Sequence, residues 1–493
     1  MSLVTSDRML WLEGIAAHAR TIPDKAALRY ICHESGIEEV MTYASLQRRS
    51  DHVASVLQDK FPSGGSMLLC VRNGPEFLVA LIGAFKAGLS VLPVSLSSTV
   101  HELREIARVV EASVFVRSES SSHRIDDPSV PEMDSDVLCS GHRGNVDGLH
   151  GSPGLMLRTS GTTGMPKVVF RDMKSLDNVS ENICRALNLT SEDSVLALVP
   201  MCHSYGIEHC VLAPLFAGSE IVSVEGIDSF PIHALIRDSE VTVFPGFPFA
   251  YERMIEELPD SFSHSLRMAY SAGSQLPGTV SSRFTQQFGI KLGQLYGSTE
   301  VGSVLFNDPN TSGLSARSVG VPLADVRVLI LDPENPDPAC PLLSGTEGQV
   351  AVASSTMLSH YVGQDMDDMI DGYFLTGDLG VLDDSGAVEI TGRIKHQIDI
   401  AGAKVNPLEV EAAVLEISGI RECVVMPCIV RGTLMRLRAV LVVDECGPRP
   451  EVSDIKDHLR SRLSAYKIPR LYEFRSELPR TPLGKIMRSE EGA

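Results

Sequence analysis

Apolar residues along the chain occur in two alternating patterns, short continuous runs and longer stretches with helical spacing. The short runs predict buried strands. Examples are residues 66–71, 194–199, 220–224 and 241–244. Between such runs, residues 102–111 and 176–187 have the spacing of amphipathic helices. Alternating strands and helices indicate an α/β fold with largely parallel sheets.

Two regions depart from this alternation. Residues 117–153 are rich in Ser, Asp, Pro and Gly with little periodicity, which predicts a connection that runs over the surface. From Gln349 onward the pattern changes to hairpins, with a strong turn at residues 383–386. The last hundred residues alternate again and predict a separate small unit that begins near Arg393. We therefore expect an N-terminal domain at 1–393 and a C-terminal domain at 394–493.

Length and charge narrow the class of protein. A chain of 493 residues exceeds one ordinary hydrophobic core, so at least two domains are expected. The formal net charge of −20 disfavours nucleic acid and anionic membrane as partners. Ten Cys without a C-x-x-C pair favour free thiols in a reducing compartment, and the cytoplasm is the expected location. Lys86, Gly88 and Pro93 interrupt the most apolar segment, so no membrane span is predicted.

One segment, residues 157–167, reads Leu-Arg-Thr-Ser-Gly-Thr-Thr-Gly-Met-Pro-Lys. Glycine lets a backbone approach an anion, hydroxyl groups donate hydrogen bonds, and lysine adds a point charge. The order differs from the nucleotide loop G-x-x-x-x-G-K-[ST], because Gly161 and Gly164 are too close and Val168 follows Lys167. A phosphate-binding loop of another kind is predicted, and a polar surface turn is the alternative. Its candidate phosphate-binding residues are Thr159, Ser160, Gly161, Thr162, Thr163, Gly164 and Lys167.

Four further segments follow at wide separations. They read Y-G-S-T-E from Tyr296, Y-F-L-T-G-D from Tyr373, T-G-R from Thr391 with G-A-K-V-N-P-L-E from Gly402, and P-R-T-P-L-G-K from Pro479. Together with residues 159–167 they resemble the adenylate-forming superfamily of acyl-CoA synthetases, luciferases and stand-alone adenylation domains. The resemblance covers nearly the whole chain. It implies an α/β fold with a large N-terminal domain of parallel-rich sheets and a small mobile C-terminal α+β domain.

The chemistry that this resemblance implies is coherent. A carboxylate is a poor acyl donor because it repels nucleophiles and has a bad leaving group. Attack of the carboxylate on the α-phosphate of ATP releases pyrophosphate and gives an acyl-AMP with a good leaving group. The protein must neutralise phosphate charge, bind Mg²⁺ and bring two anions within bonding distance.

The resemblance assigns most nucleotide contacts. The loop with Lys167 would bind the β- and γ-phosphates, although Val168 and Met173 stand where glycine and histidine are common. Thr299 would contact phosphate, and Glu300 would bind Mg²⁺, a hard cation that prefers oxygen. The other implied ATP-binding residues are Gly273, Ser274, Tyr296 for stacking on adenine, Gly297, Ser298, and Asp378 with Arg393 for the ribose. A turn or capping role is the alternative for Asp378.

Three residues of the C-terminal region receive roles in the same way. Lys485 would be the catalytic lysine that bridges the carboxylate and the α-phosphate, so its domain must close over ATP. Lys395 falls at the hinge between domains, and Gly402 at the channel for the attacking thiol. A solvated lysine and an ordinary turn glycine are the alternatives for Lys485 and Gly402.

The acid-binding residues follow from a fourth set of matches. His203 would lie beside the carboxylate, and a structural histidine is the alternative. The other candidate pocket residues are Tyr205, Phe247, Ala272 and Leu295. Residues 194–207 contain no Asp or Glu to pair with an α-ammonium group, which disfavours an amino acid. Leu295 stands where many relatives have glycine, so we expect a small or medium acid, aryl or aliphatic.

The thiol acceptor is coenzyme A or the phosphopantetheine of an acyl carrier protein. Nine Lys or Arg against three Asp or Glu between Lys456 and Arg488 form a basic stretch that suits phosphates, or a solvated face without a partner. The leading hypothesis is an AMP-forming carboxylic acid:CoA ligase. The alternatives are a ligase that loads a carrier protein in natural-product biosynthesis, a non-catalytic nucleotide-binding protein, and a luciferase-like oxygenase.

Overall fold

The structure is a computed structural model. It describes residues 9–32, 38–118, 124–125, 127–140, 152–159, 167–224, 230–257, 262–311, 313–400, 403–430, 434–444, 449–480 and 486–488. Among these residues, no helix combines the length and the apolar character that crossing a bilayer requires.

The elements alternate for most of the chain, as the apolar pattern predicts. The α-helices are α1 (Leu10–Thr21), α2 (Tyr43–Lys60), α3 (Pro75–Lys86), α4 (Val100–Val109), α5 (Ser135–Cys139), α6 (Met173–Leu187), α7 (Ser204–Ile207), α8 (Ala213–Ala217), α9 (Ile232–Asp238), α10 (Pro248–Glu256), α11 (Gly278–Phe288), α12 (Pro407–Leu415) and α13 (Val452–Arg462). A π-helix, Glu208–Leu212, joins α7 to α8.

The strands of the N-terminal part are β1 (Ala26–Ile31), β2 (Glu38–Thr42), β3 (Ser66–Cys70), β4 (Ser90–Pro93), β5 (Ala112–Arg117), β6 (Glu132–Asp134), β7 (Gly154–Arg158), β8 (Val168–Asp172), β9 (Ser194–Ala197), β10 (Glu220–Val224), β11 (Val243–Gly246), β12 (Met268–Ser271), β13 (Leu292–Ser298), β14 (Gly302–Asn307) and β15 (Val321–Pro322). The later strands are β16 (Val326–Leu331), β17 (Glu347–Ser354), β18 (His360–Tyr361), β19 (Met369–Ile370), β20 (Tyr373–Leu382), β21 (Val388–Arg393), β22 (Ile398–Ile400), β23 (Ala403–Val405), β24 (Ile420–Val430), β25 (Leu434–Val443) and β26 (Leu471–Arg475).

Packing divides the chain into two compact units. The first contains Met1–Ala316, Gly320–Arg327 and Ala353–Asp367, and the second contains Arg317–Val319, Val328–Val352 and Asp368–Ala493. The sequence predicts a boundary between residues 393 and 394, where a small mobile C-terminal domain would begin. Packing in a single conformation does not show which residues move together, so this boundary stays a prediction.

The first unit is built on two large sheets. The nine-stranded sheet has the order β15-β14-β13-β12-β11-β9-β10-β1-β2, and its six strands from β13 to β1 are parallel. The seven-stranded sheet has the order β18-β8-β7-β4-β3-β5-β6, with parallel pairing from β7 to β6. Strands buried on both faces explain why these segments read as continuous apolar runs.

The second unit contains most of a five-stranded antiparallel sheet and two smaller sheets. In the larger sheet, β20 and β21 form the hairpin that the sequence predicts, and the Asp383 carboxylate accepts hydrogen bonds from the backbone of Ser385 and Ala387, both at 2.9 Å. The three-stranded sheet β24-β25-β26 packs on α12 and α13 around residues such as Val410 and Ile455. This α+β arrangement agrees with the predicted character of the C-terminal domain.

Local sequence explains helix α4. The Thr99 hydroxyl accepts from the backbone of Glu102 at 3.2 Å, and the Glu102 carboxylate accepts from the Thr99 backbone at 2.7 Å, which is a complete capping box. Leu103 and Ile106 face the seven-stranded sheet, where they pack with Phe115. The N-terminal cap and the spacing of apolar residues thus both favour a helix at α4.

The expectation of an irregular connection over residues 117–153 was partly wrong. Within it, β6 pairs in parallel with β5, and α5 follows directly. The Glu132 carboxylate fixes this pairing, because it accepts from the Arg117 guanidinium at 3.0 Å and from the Ile125 backbone at 2.7 Å. Long-range contacts of this kind leave no periodic signal in the sequence.

Helix α1 is anchored by a distant carboxylate. Asp177 of α6 accepts hydrogen bonds from the backbone of Leu10 at 2.9 Å and of Trp11 at 2.7 Å. The Trp11 indole is fully buried and donates to the Leu212 carbonyl at 2.8 Å. Asp177 therefore satisfies N–H groups that the first turn of a helix leaves unpaired.

We expect Asp177→Ala to lower the free energy of unfolding by about 1–3 kcal/mol, because the buried Trp11 N–H and the partly buried Leu10 N–H lose their acceptor. Urea denaturation would measure the change. The matched control is Glu181→Ala on the same helix, whose exposed carboxylate forms a surface pair with Arg185 at i,i+4. Its loss should stay within about 0.5 kcal/mol. Equal effects of the two substitutions would contradict the anchoring role.

Candidate active site

Four neighbouring parallel strands, β9, β11, β12 and β13, end at one edge of the nine-stranded sheet. Carboxyl ends of parallel strands are the usual place for ligands in α/β proteins, because the connecting loops converge there. Eight candidate residues of the first unit lie in the segments that follow these strands. They are His203 and Tyr205 after β9, Phe247 after β11, Ala272, Gly273 and Ser274 after β12, and Thr299 and Glu300 after β13.

Three contacts tie these loops together. The Ser204 hydroxyl lies 3.5 Å from the Thr299 hydroxyl. The Tyr205 hydroxyl donates to the Gly246 carbonyl at 3.0 Å, and the Ala272 backbone donates to the same carbonyl at 3.3 Å. The structure therefore brings residues 199–206, the predicted acid-binding turn, beside Thr299. Tyr205 and Ala272 meet at the end of β11.

The turn after β13 is tightly constrained. Leu295 is buried, whereas Tyr296, Thr299 and Glu300 are half-buried. A Cβ atom on Gly297 would lie 2.3 Å from the Gly302 carbonyl oxygen, so only glycine fits where β13 and β14 meet. On the far side, the Glu300 carbonyl accepts from the Leu358 backbone at 2.7 Å. The backbone around Thr299 and Glu300 is thus fixed from both sides.

The side chains that could bind a metal ion determine which cation suits the turn with Glu300. Within the described part of the chain, no group of three or more His, Cys, Asp or Glu side chains has the arrangement of a metal site. Glu300 offers a single half-buried carboxylate. Mg²⁺ fits such a site, since it is commonly bound by one or two carboxylates together with the phosphates of a substrate.

His203 lies in a compact turn that precedes α7. Its backbone donates to the Pro200 carbonyl at 3.1 Å, and the Met201 backbone donates to the Asn73 side chain at 3.2 Å. Burial, and then the positive charge of Arg158, lower the pKa of the His203 imidazole. A neutral imidazole near physiological pH can donate one hydrogen bond to a carboxylate without itself being a buried charge.

Arg158 is a residue that the sequence reasoning missed. It ends β7 immediately before Thr159, and its guanidinium lies 3.4 Å from the Glu102 carboxylate. After burial, its positive charge is the second cause of the lowered pKa of His203. Its position in the segment 157–167 could have indicated a role, but an arginine at the end of a strand does not by itself predict a function.

The predicted phosphate-binding loop connects two antiparallel strands, β7 and β8, and does not connect a strand to a helix. The Thr159 backbone donates to the Lys167 carbonyl at 3.0 Å, and the Lys167 ammonium lies 4.5 Å from the centre of the Tyr361 ring. Ser160, Gly161, Thr162, Thr163 and Gly164 lie outside the described residues. Both ends of the predicted loop are therefore placed at the edge of the seven-stranded sheet.

In the second unit, Asp378 and Arg393 form a cross-strand pair between β20 and β21. The Arg393 Nε atom lies 2.9 Å from the Asp378 Oδ1 atom, and Gly377 has a φ of +72°, which favours glycine. Lys395 is exposed in a short 3₁₀ helix, Ile394–His396. Gly402 and Lys485 lie outside the described residues.

A separate open cleft of about 250 Å³ lies at the ends of β3, β4 and β10. Its walls include Tyr30, Arg72, Leu96 and Cys202. Cys202 is the neighbour of His203, but none of the five predicted pocket residues lines this cleft. Burial raises the pKa of the Cys202 thiol to about 11, so it is not a reactive thiolate.

Comparison with known proteins identifies the family. Residues 15–362 match the family described as AMP-binding enzyme, and residues 409–485 match the AMP-binding enzyme C-terminal domain. The chain belongs to the AMP-binding enzyme family. This confirms the predicted adenylate-forming superfamily.

Individual relatives refine this result. The malonate–CoA ligase of Arabidopsis thaliana is 26% identical over 480 residues, which cover 87% of this chain and 77% of the relative. A feruloyl-CoA synthase from Amycolatopsis is 25% identical over 467 residues, covering 91% and 93%. The crystal structure of ATP-bound MatB from Rhodopseudomonas palustris has a TM-score of 0.85 at 23% identity, covering 96% of this chain and 97% of that one. The predicted α/β fold and the predicted class, AMP-forming acid–thiol ligases, are confirmed.

The turn that carries His203 gives a steric prediction. A Cβ atom on Gly206 would lie 2.1 Å from the Pro200 carbonyl oxygen. Gly206→Ala should therefore cost about 1–3 kcal/mol of unfolding free energy, measured in urea, and raise the KM for the acid. Gly278→Ala is the control, because its Cβ would meet no atom within 4 Å. A fully stable Gly206→Ala protein with unchanged KM would contradict this account of the turn.

Proposed function

We propose that the protein uses ATP to convert a small or medium carboxylic acid into an acyl-adenylate and then transfers the acyl group to the thiol of coenzyme A. The observation that carries this proposal is the 3.5 Å contact between Ser204 and Thr299. This contact supports the proposal because the turn with His203, which would bind the acid, lies beside the turn with Thr299, which would bind phosphate. The carboxylate oxygen must attack the α-phosphorus, so the two binding turns have to be neighbours.

Each side of the site would neutralise a different charge. Thr159, Lys167 and the intervening loop would bind the β- and γ-phosphates, so that pyrophosphate leaves with its charge compensated. Thr299 would donate to the α-phosphate. Tyr296, in the partly exposed end of β13, would stack on adenine, next to Gly297, Ser298, Gly273 and Ser274.

Glu300 would bind Mg²⁺, since its single carboxylate suits a cation whose other ligands are phosphate oxygens and water. When bound, the cation would offset the negative charge of the phosphates. The ribose would be bound by the Asp378 carboxylate, which the Arg393 guanidinium orients through their 2.9 Å contact. Arg393 thereby directs the Asp378 carboxylate.

Lys485 would neutralise charge between the carboxylate and the α-phosphate during adenylation only. After adenylation, rotation at Lys395 would remove Lys485 and present the segment around Gly402 to the thiol. The flanks of Lys485 are well anchored within the second unit. Arg480 and Ile486 form an antiparallel bridge, and the Arg488 guanidinium makes two 2.6 Å hydrogen bonds to the Glu411 carboxylate.

The substrate is a simple carboxylic acid and not an amino acid. Glu208 is the carboxylate next to the acid-binding turn, and it is already engaged by Arg171 and Ser303. It is therefore not available for an α-ammonium group. Leu295 would shorten the acyl cavity, and Tyr205, Phe247 and Ala272 would border it. Malonate and ferulate, named in two relatives, are both small or medium acids.

Coenzyme A is the proposed acceptor, and the relatives are the main support for it. The basic stretch from Lys456 to Arg488 gives weaker support than its composition suggests. Among its described cations, six lie within 4 Å of a carboxylate: Arg460, Arg462, Lys467, Arg475, Arg480 and Arg488. A carrier protein is the second candidate acceptor, and the cytoplasm is the proposed location.

Carboxylate-dependent ATP–pyrophosphate exchange tests the first step. The assay contains Mg²⁺ and no thiol, with benzoic, cinnamic, short, medium and long aliphatic acids and amino acids in turn. We expect exchange with one class of small or medium acid and none with amino acids. Adding coenzyme A or a carrier protein to the active acid then identifies the acceptor. Exchange restricted to amino acids or long-chain acids would overturn the proposed substrate class.

Lys485→Ala should abolish exchange and leave thioester formation from supplied acyl-adenylate largely intact, because the lysine stabilises charge only in the first transition state. Both half-reactions are measured on the purified full chain. Arg421→Ala, which removes an exposed cation of the same unit outside the basic stretch, is the control and should change neither step. Equal loss of both half-reactions would remove the assigned role of Lys485.

A further inference from the structure

Beneath the turn with Thr299 and Glu300 lies an ion pair that no motif contains. The side chain of Arg171, from β8, is fully buried, and the side chain of Glu208, from the π-helix, is 1% exposed. The Arg171 Nη1 atom donates to the Glu208 Oε1 atom. A charged pair so far from water needs further partners, since burying both charges costs free energy.

The second Glu208 oxygen bonds to strand β14. It accepts from the Ser303 backbone at 3.1 Å and from the Ser303 hydroxyl at 2.7 Å. Because the hydroxyl proton points at the carboxylate, the His209 Nε2 atom, 2.8 Å away, must be the donor to Ser303. Its Nδ1 atom then accepts from the Tyr270 hydroxyl at 2.7 Å. The chain of bonds is ordered from β12 to β14.

The environment of His209 is compatible with this order of bonds. Burial lowers the pKa of His209 to about 3, so the imidazole is neutral and has one donor and one acceptor nitrogen. Such a ring can donate from Nε2 to Ser303 while Nδ1 accepts from Tyr270, so both of its nitrogen atoms have partners.

Arg171 reaches the other side of the turn. Its Nε atom donates to the Ser175 hydroxyl at 3.1 Å, and this hydroxyl donates to the Thr356 carbonyl at 2.8 Å. The Thr356 hydroxyl in turn donates to the Val301 carbonyl at 2.6 Å. Gly302 has a φ of +72°, and a Cβ atom there would lie 3.0 Å from the Arg171 Nη2 atom. The guanidinium thus lies directly against the backbone of the turn.

We propose that the Arg171–Glu208 pair is a positioning device for the Thr299–Glu300 turn. It fixes the backbone from Val301 to Ser303 and so directs the Glu300 carboxylate to its cation and the Thr299 hydroxyl to phosphate. This inference rests on the proposed function for what the two side chains bind. Neither member of the pair contacts substrate, so both are positioning residues.

The test separates positioning from stability. The double variant Arg171→Met/Glu208→Met replaces the ion pair by apolar side chains, and such replacements in protein interiors preserve folding or increase stability. Titration calorimetry then measures Mg·ATP binding to the full chain without any acid. We expect binding about tenfold weaker than in the wild type, a loss typical of groups that orient a metal ligand. Binding of ATP in EDTA, which does not use Glu300, should fall less.

A second buried pair provides the matched control. The Lys86 ammonium lies 2.8 Å from the Asp51 carboxylate between α2 and α3, with side chains 9% and 14% exposed, and neither helix carries a candidate site residue. Lys86→Met/Asp51→Met should leave Mg·ATP binding unchanged. The single variant Glu208→Gln, which keeps the shape of the side chain, should weaken Mg·ATP binding in the same direction as the double variant.

Two results would overturn the inference: a folded double variant that binds Mg·ATP as the wild type does, or an equal loss in the control. Thermal unfolding verifies folding in each case. If the wild type binds Mg·ATP but exchanges pyrophosphate with no acid, the proposed function fails. The binding comparison still decides the positioning role in that case.

Discussion

The parallel alignment of β9, β11, β12 and β13 is the constraint on which the site of the first unit depends. Parallel neighbours end at the same edge, so four loops far apart in sequence must meet there. The Gly246 carbonyl shows how closely they meet, since it accepts hydrogen bonds from both Tyr205 and Ala272. One edge can thus carry groups for an acid and groups for phosphate, which a reaction between two anions requires.

The residues buried beneath the Thr299–Glu300 turn, at this edge of the sheet, are unusually polar for a protein interior. Arg171, Glu208 and His209 are all buried. An apolar floor would pack as well and would avoid the cost of removing charge from water. It would not, however, specify the direction of the β13–β14 turn, because apolar contacts are non-directional. Hydrogen bonds to the Ser303 and Val301 backbones supply that direction through Glu208 and Thr356.

Local signals in the sequence predicted local structure well. The apolar spacing at residues 102–111 predicted α4, which is Val100–Val109 and therefore begins two residues earlier, after the Thr99 cap, and the turn at Asp383 forms the hairpin expected of it. The strand expected at residues 241–244 is β11, Val243–Gly246, two residues later. Pro245 and Gly246 ordinarily end strands, and only the burial of this strand between β9 and β12 reveals that it continues.

Long-range contacts account for most of what the sequence did not predict. Glu132 secures β6 within a segment whose composition suggests a loop, and Arg171 pairs with Glu208, 37 positions away. A single charged residue in an apolar run has no local meaning until its partner is known. The motifs point to residues that would contact ligands because ligand chemistry restricts such residues directly, whereas many different buried networks can support the same surface.

The ion pairs of the second unit bear on the proposed rotation at Lys395. Arg488 with Glu411, Arg480 with Glu422, and Lys467 with Glu409 are each internal to that unit. A domain that changes orientation keeps such pairs intact, so rotation would not leave a buried charge without its partner. Glu411 shows why a buried charge must keep its partner, because its carboxylate is buried and also accepts a hydrogen bond from the Val425 backbone at 2.7 Å. Internal pairing would thus let the proposed rotation of the domain with Lys485 occur at low cost in free energy.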